Sequence, residues 1–527
     1  MITKYCLWAT SAMVLLVIQP EPSESAHILA VHPYASHSHN NLYGPIIKAL
    51  TRRGHTFTVI TSQPVNSPPS NYKQINTSNI FEDHHKVFNS MDKDMGVLRL
   101  FAKVMHMTDD ICRKTLFHPE VQKLIHPSKS SERFDLILMT NFFGECLYGF
   151  SHVYKVPMIL LSPAGPFPTT YSAIGTIVLP SAVANPVMGF DDRMTFWQRI
   201  INSLSTIGFT VFYKGFVLPN MYSIMKEAFG EDIPDIKELE KYISLAMVNH
   251  HFSLNGAHPL GPNLIEIGGI HVNPPKNLPK DLQDFMNGAG EDGVIYFSMG
   301  SILRSANFPL ETRNAFIAAF SELKQRVLWK WEGENPLPGQ TNNVRLEKWL
   351  PQQDLLAHPN VKIFITHGGL NSFQEAATRG VPLIGIPFFA DQIGNVQRAM
   401  NLKVAVKLDC KNLTKLNILN AINEILNDPS YSINMKNIQS IIADQRDHPL
   451  DRAVYWIEYV LRNKGAKHLR PAAADLKWYQ LYMVDIFFVM IVIPNLALIC
   501  IGYIILKFIK KRCQSKKKTE DSSKKEQ

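Results

Sequence analysis

The chain has 527 residues, which at roughly 100–200 residues per domain implies two or three domains and room for a large buried core. Apolar residues make up 46% and charged residues 19%, with 33 Pro, 28 Gly and 6 Cys, a balance that excludes collagen-like, low-complexity and disulfide-scaffold classes. The net charge of +9 is concentrated: residues 507–527 hold nine Lys/Arg against three Asp/Glu, so the rest of the chain carries only +3, too little for a nucleic-acid face.

Residues 1–25 read as a secretory signal, with Lys4 as its positive start, an apolar stretch from Leu7 to Ile18, and small residues Ser23 and Ser25 at its end. A mature chain starting near Ala26 opens as β-α-β: an apolar run from His27 to His32, helical spacing from Leu42 to Arg53, a stop at Gly54, and a β-branched run from Thr56 to Thr61. Further strands are expected at Asp135 to Met139 and Pro157 to Leu161, the alternation of a doubly wound parallel sheet. The stretch from Pro163 to Tyr222 is apolar and irregular; lining a cavity, resting on a membrane and forming plain core are all open to it. Gly268 to Asp281, with Pro274, Pro275 and Pro279, reads as a linker.

A second alternating series follows, with strands expected at Val294 to Ser298, Val327 to Trp331, Val344 to Lys348, Val361 to Thr366, Leu383 to Ile386 and Ala405 to Leu408, and a helix at Asp444 to Arg462. The expected organisation is therefore an α/β protein of two doubly wound, Rossmann-like domains, 26–270 and 271–480, facing a cleft at the carboxyl ends of their sheets. Ile486 to Leu506 gives 21 residues without a charge, about 31 Å of helix against a ~30 Å hydrocarbon core. Lys507, Lys510, Lys511 and Arg512 follow at once, which makes the chain a single-pass type I membrane protein with residues 507–527 in the cytosol. Lys524 and Lys525, before Glu526 and Gln527, resemble the dilysine retrieval signal that a coat receptor reads on proteins of the endoplasmic-reticulum membrane. Beyond Cys6 the lumenal part keeps Cys112, Cys146 and Cys410, enough for at most one bridge, while Asn76 and Asn412 sit in N-glycan acceptor patterns.

The strand at Val361 to Thr366 runs straight into His367-Gly368-Gly369-Leu370-Asn371-Ser372 and a helix near Phe373. Strand, glycine turn and helix N-terminus form a seat for an anion: the glycines admit close approach to backbone amides, and the helix dipole favours negative charge. Asn371 and Ser372 can alternatively cap the helix. Two other patterns fail on context. Gly288-Ala-Gly290-Glu-Asp-Gly293 precedes a strand instead of following one, and Asp92-Lys-Asp94 stands at no strand end, so neither a dinucleotide site nor a metal site is expected.

Trp349-Leu-Pro-Gln352 through His358-Pro, Thr366-His-Gly-Gly-Leu-Asn-Ser, Glu375, Gly380-Val-Pro, Pro387 and Asp391-Gln392 together resemble the signature of the UDP-glycosyltransferases over more than forty residues. The likeness extends from His27 to Arg470, and the signal, span and dilysine tail look like the membrane-bound animal branch of glucosyl- and glucuronosyltransferases. It implies a GT-B architecture, a UDP-sugar co-substrate with no further cofactor or metal, and inverting transfer of glucose or glucuronic acid to a hydroxyl of a small lipophilic acceptor. On matching positions, Trp349 and Gln352 would contact the uracil, Ser301, His367, Gly369, Asn371 and Ser372 the diphosphate seat, Glu375 the ribose, and Asp391 with Gln392 the sugar. A glucuronate carboxylate would want a cation, and none is evident beside Asp391, which tilts the donor towards glucose.

The loop after the first strand holds His32, His37 and His39, without the carboxylates or cysteines that would complete a metal tetrahedron. By resemblance His39 is the catalytic base, an imidazole near its free pKa of ~6.5, with His37 as its rival. The carboxylate that would orient such a base has no counterpart at Thr140, which leaves Glu145, just before Cys146. His258 stands where relatives commonly carry an Arg near the phosphates. These two departures motivate an alternative: a non-catalytic carrier of UDP-sugars or lipophiles with the same fold. A homo-oligomer is compatible with the sequence.

Overall fold

The computed structural model describes residues 25–34, 36–78, 97–128, 132–301, 303–334 and 337–523. Residues 1–24 of the expected signal, the Asp92-Lys-Asp94 pattern and the dilysine end fall outside the described residues.

The first sheet is wholly parallel, built from β1 (His27–His32), β2 (Thr56–Thr61), β3 (Tyr72–Asn76), β4 (Leu136–Thr140), β5 (Met158–Ser162), β6 (Ile243–Val248) and β7 (Leu264–Glu266), in the order β3-β2-β1-β4-β5-β6-β7. The second contains β8 (Val294–Ser298), β9 (Arg326–Lys330), β10 (Val344–Glu347), β11 (Val361–Thr366), β12 (Leu383–Gly385) and β13 (Ala405–Lys407), ordered β10-β9-β8-β11-β12-β13 and again parallel. Helices cover both faces of each sheet, so central strands such as β1, β4 and β8 read as continuous apolar runs without alternation. Each sheet separates two apolar clusters; in the second lobe Trp329 stacks on Phe297 at 4.7 Å and is fully enclosed.

Helix α1 (His37–Arg52) turns Leu42, Tyr43, Ile46, Ile47 and Leu50 onto the first sheet, a helical repeat that explains its position despite Pro45. It stops at Arg53 and Gly54, whose φ of +95° suits glycine. Helix α2 (Val97–Leu116) is bonded through Cys112 to Cys146, just beyond β4, so the one bridge compatible with the sequence joins these two cysteines. Helices α3 (Phe196–Phe212) and α4 (Leu218–Phe229) lead to β6. In the second lobe α5 (Gln352–Leu356), α6 (Leu370–Arg379) and α7 (Gln392–Asn401) surround the end of β11.

Helix α8 (Pro449–Arg462) follows the second sheet in sequence yet packs on the first. Ala453, Val454, Ile457 and Val460 enter the cluster beneath β1, Glu458 pairs with Arg53 at 3.0 Å, and Ser244 donates to the Gly465 carbonyl. The expected second domain, 271–480, thus gives its last helix to the first lobe.

From Pro471 onward the chain forms a separate compact unit. It contains α9 (Ile493–Ser523), and the apolar helical stretch Val484–Ser515 is long enough to cross a bilayer, with none of its most apolar window buried. Pro494 lies inside this helical stretch, directly after a widened π turn at Phe488–Val492, and Asn495 donates to the Ile491 carbonyl at 2.7 Å, so the i−4 bonding that the proline removes is taken up by the π turn and helix continues on both sides.

Candidate active site

A cavity of about 1830 Å³ opens between the two lobes at the carboxyl ends of their sheets, larger than the ~300–1,000 Å³ of a typical single-ligand pocket and roomy enough for two substrates. His39, Ser301, Trp349, Gln352, His367, Gly369, Asn371, Ser372, Glu375, Asp391 and Gln392 all line it; Glu145 does not.

On the second lobe, β11 delivers His367 and two glycines into α6. Gly368 has a φ of +82°, and a Cβ there would stand 2.3 Å from Val396. Gly300 also has positive φ, and a Cβ on it or on Gly369 would strike the His367 ring, so the imidazole lies flat against bare backbone on two sides. The N-cap of α6 is Gly369, with no side chain bonded to the first-turn amides. Asn371 and Ser372 are therefore not caps here, and the helix presents its amides and positive dipole end to the cleft. Burial, reinforced by the nearby Lys330 ammonium, pushes the His367 pKa down to about 4, so a neutral ring faces the seat and offers a single N–H.

Around this seat the polar side chains hold one another. Gln352 Nε2 donates to Glu375 at 2.5 Å and to Ser372 at 3.1 Å, while its Oε1 accepts from Tyr296. Gln353 donates to the other Glu375 oxygen. Trp349 is 68% exposed on the cleft wall, a free indole face with the Lys330 ammonium 5.3 Å from its centroid. Asn395 donates to Asp391, and Gln392 Oε1 accepts from the Phe388 and Phe389 amides, bonds that fix both side chains on the cavity lining. Burial raises the Asp391 pKa.

The three histidines expected in a loop are not in one: His32 ends β1, while His37 and His39 stand in the first turn of α1, and their surroundings diverge. His32 is buried and stacked on Tyr43 at 4.9 Å; His37 is exposed, 6.3 Å from Trp349; His39 lies between Tyr34 and Phe142, with centroids at 5.7 and 5.0 Å. Tyr34 donates to the Phe142 carbonyl and closes this aromatic sleeve. Burial there lowers the His39 pKa to about 4, well under the free value expected from sequence, so the ring is neutral at physiological pH.

The expected pairing of His39 with Glu145 is not found. Glu145 opens a short turn behind β4 beside the disulfide, is buried, and accepts from the Tyr213 hydroxyl at 2.6 Å; burial lifts its pKa to about 7. His39 Nδ1 is buried with no hydrogen-bond partner among the described residues. Thr140, at the end of β4, is taken by the Tyr43 hydroxyl, and Asn141 accepts from Thr170. His258 lines the cleft and contacts Tyr171 and Asp192 at 3.2 and 3.3 Å.

Several participants were not evident beforehand. Asn371 Nδ2 donates to the Ser38 carbonyl at 2.9 Å, and Asn249, just past β6, donates to Asn371 Oδ1 at 2.8 Å. Asn371, in the first turn of α6, is thus bonded across the cleft to the residue before His39. His271, in the linker, lies 3.4 Å from Glu375 and 3.3 Å from the Asn371 carbonyl. Lys330 Nζ donates to the Gly300 carbonyl at 2.6 Å. Asn249 follows an apolar run that marks a strand end; nothing in the linker pattern singles out His271. Asn76 and Asn412 are both exposed.

The family model described as UDP-glucoronosyl and UDP-glucosyl transferase matches residues 28–519. UDP-glucosyltransferase 2 of Dactylopius coccus is 38% identical over 482 residues, 90% of this chain and 91% of that protein. UDP-glucuronosyltransferase 2B7 of Homo sapiens is 32% identical over 495 residues, 91% of each. Among solved structures, the glycotransferase of kitacinnamycin superposes with a TM-score of 0.55 at 17% identity, covering 83% of this chain and 99% of that one, a likeness of fold that gives the two facing sheets their GT-B architecture. Sheets, cleft, glycine turn and family match agree: the chain belongs to the UDP-glucuronosyl and UDP-glucosyl transferase family and is a UDP-glycosyltransferase.

Proposed function

We propose that the protein transfers a hexosyl group from a UDP-sugar to a hydroxyl of a small lipophilic acceptor by one inverting displacement. The observation that carries this reading is the Asn371–Ser38 bond, which sets the amide seat at α6 within one residue of His39. The diphosphate sits on the free amides of α6, with Trp349 beneath the uracil, Glu375 on the ribose hydroxyls, and Asp391 with Gln392 on the sugar. Negative charge that develops on the departing UDP meets the helix dipole and the His367 N–H. The acceptor rests on Phe142, Phe143, Phe167 and Phe209, all on the cleft wall. Neutral His39 takes the hydroxyl proton as that oxygen attacks the anomeric carbon, while the bond to the UDP oxygen breaks on the opposite face. A ring of low pKa is a weak base, so proton transfer runs with the attack and not ahead of it.

Glucose is favoured over glucuronic acid as the moving sugar: Arg398, a turn and a half beyond Gln392, is held by Asp191 at 2.5 Å and already neutralised. A lumenal endoplasmic-reticulum location is supported by the Cys112–Cys146 bridge, which needs an oxidising compartment, and by the apolar stretch Val484–Ser515.

One observation favours the carrier reading, a buried His39 Nδ1 that has no hydrogen-bond partner among the described residues. Membranes containing the protein, given radiolabelled UDP-sugars and a panel of phenols, separate the two. Turnover that falls by about 10²–10⁴-fold in His39→Ala with UDP affinity kept supports the transferase. UDP binding without turnover in the unaltered protein contradicts it.

A further inference from the structure

The row of side chains that starts at Asp391 continues along α7. Asp391 stands just before the helix with helical dihedral angles, and Asn395 and Arg398 follow four and seven residues on, so the three share one face. Asn395 ties the row to its start by donating to Asp391 at 2.9 Å. Side chains on a helix lean towards its beginning, and seven residues are about 10 Å of axis, a span that an arginine side chain and a hexose ring together bridge. Asp391 and Arg398 line the same cavity.

Helix α7 is clasped by a first-lobe segment, residues 184–192, that takes no part in the proposed transfer. A Cβ on Gly394 would stand 2.3 Å from the Pro186 carbonyl oxygen, and one on Gly189, whose φ is +68°, 2.8 Å from Ile393, so segment and helix meet at bare backbone. The segment is fixed in its own lobe: the Asn185 amide donates to Asn202 of α3 at 2.8 Å, and the Ala184 amide to Asp192 at 3.0 Å. Its end delivers Asp191. One Asp191 oxygen accepts from Arg398 at 2.5 Å and from the Asp192 amide at 2.8 Å, and the other accepts from Asn401 at 2.9 Å. Three donors hold this carboxylate in place, while Arg398 Nε is buried and finds no partner among the described residues.

We propose that Asp191 sets the donor class: it occupies the guanidinium that would otherwise read the C6 carboxylate of a UDP-hexuronate, so the cleft takes a neutral UDP-hexose. This rests on the proposed sugar contacts of Asp391 and Gln392. A hexuronate entering here meets a cation that is already neutralised and, on the same helix face, the Asp391 carboxylate of like sign. A neutral hexose presents hydroxyls to the same groups and meets no such opposition. Asp191 touches neither sugar nor diphosphate; it acts through Arg398 as a positioning residue.

The test is competition binding to the full-length protein in detergent, with UDP, UDP-glucose and UDP-glucuronic acid each displacing a fluorescent UDP analogue. Asp191→Asn keeps the shape of the side chain and an acceptor oxygen and removes the charge. Expected in the unaltered protein is a preference for UDP-glucose. Expected in Asp191→Asn is a gain of about 10-fold or more in UDP-glucuronic acid affinity, the scale of a hydrogen bond to a charged group, with UDP and UDP-glucose affinities kept. The gain is expected to vanish when Arg398→Gln is added. An unaltered protein that prefers UDP-glucuronic acid would overturn the proposal, as would an unchanged ratio of the two sugars in Asp191→Asn or a gain that survives Arg398→Gln. So would an equal fall in affinity for all three ligands, which would make the segment a structural brace alone. Because the readout is binding, UDP binding without turnover, the result that contradicts the transferase reading, leaves this comparison intact.

Discussion

His39 shows how burial sets chemistry at a single residue. The sleeve of Tyr34 and Phe142 strips water from the ring and pushes its pKa down to about 4. A base works in its neutral form, and a ring with this pKa stays neutral as pH falls through 6.5. The acid limb of kcat/KM is therefore expected near pH 4–5, measured with a donor whose own phosphates do not titrate there; a limb centred at 6.5 would mean a hydrated ring. Glu145 teaches the opposite lesson. Its place after β4 matched a motif, but the direction of a side chain leaving a strand end depends on what anchors the turn. Here Cys146 is tied to Cys112 and Tyr213 offers a hydroxyl from α3's continuation, neither of which local sequence reveals.

At the scale of elements, strands buried on both faces were the most legible. The bounds of β1, β2, β8 and β11 agree with expectation residue for residue, while β4, β5 and β9 are displaced by one. The edge strand β3 has Lys73 exposed and Gln74 half-buried on opposite faces and shows neither clean alternation nor an apolar run, and β7 is only three residues long. The run Ile-Ser-Leu-Ala-Met-Val of β6 was readable in composition and hidden by the irregular stretch before it. The glycine turn between β11 and α6 was legible because strand, glycines and helix follow one another in sequence; the side chains that brace it, Asn249 and His271, arrive from the other lobe and the linker. The bridge from α2 to the β4 turn closes a separation of 34 residues, worth about 4 kcal/mol in the chain-entropy account. Cys112→Ser is expected to lower the thermal midpoint under oxidising conditions and to make the protein indifferent to dithiothreitol, as scanning fluorimetry with and without the reductant reads directly.

Across the whole molecule, buried neutral histidines make the fold acid-sensitive. His32, His39 and His367 each have a folded pKa of about 4. In the unfolded chain they titrate near 6.5. Between those values the unfolded state binds more protons, so stability is full above pH 6.5 and falls as pH drops towards 4, by up to about 3 kcal/mol for each ring. Glu145 works against this: its folded pKa of about 7 means that its contribution falls as pH rises from 4.5 to 7. The three rings outweigh Glu145 and Asp391, the two carboxyls that burial raises, so the thermal midpoint is expected to rise from pH 4.5 to 6.5; a flat or falling profile would mean that the rings are solvated.

The most direct measurement of the central claim, that the UDP diphosphate docks on the bare amides where β11 enters α6, is calorimetric titration of UDP into the full-length protein in detergent, unaltered and as Gly369→Val. Gly369 has an ordinary φ of −62°, and its added Cβ would stand 2.5 Å from the His367 ring, so valine there displaces that ring and fills the seat from a backbone conformation open to any residue. The unaltered protein is expected to bind UDP, and the variant to lose affinity by about 100-fold while its circular dichroism shows the fold kept, the scale of a lost set of charge-assisted amide bonds. Equal UDP affinity in the two proteins would contradict it.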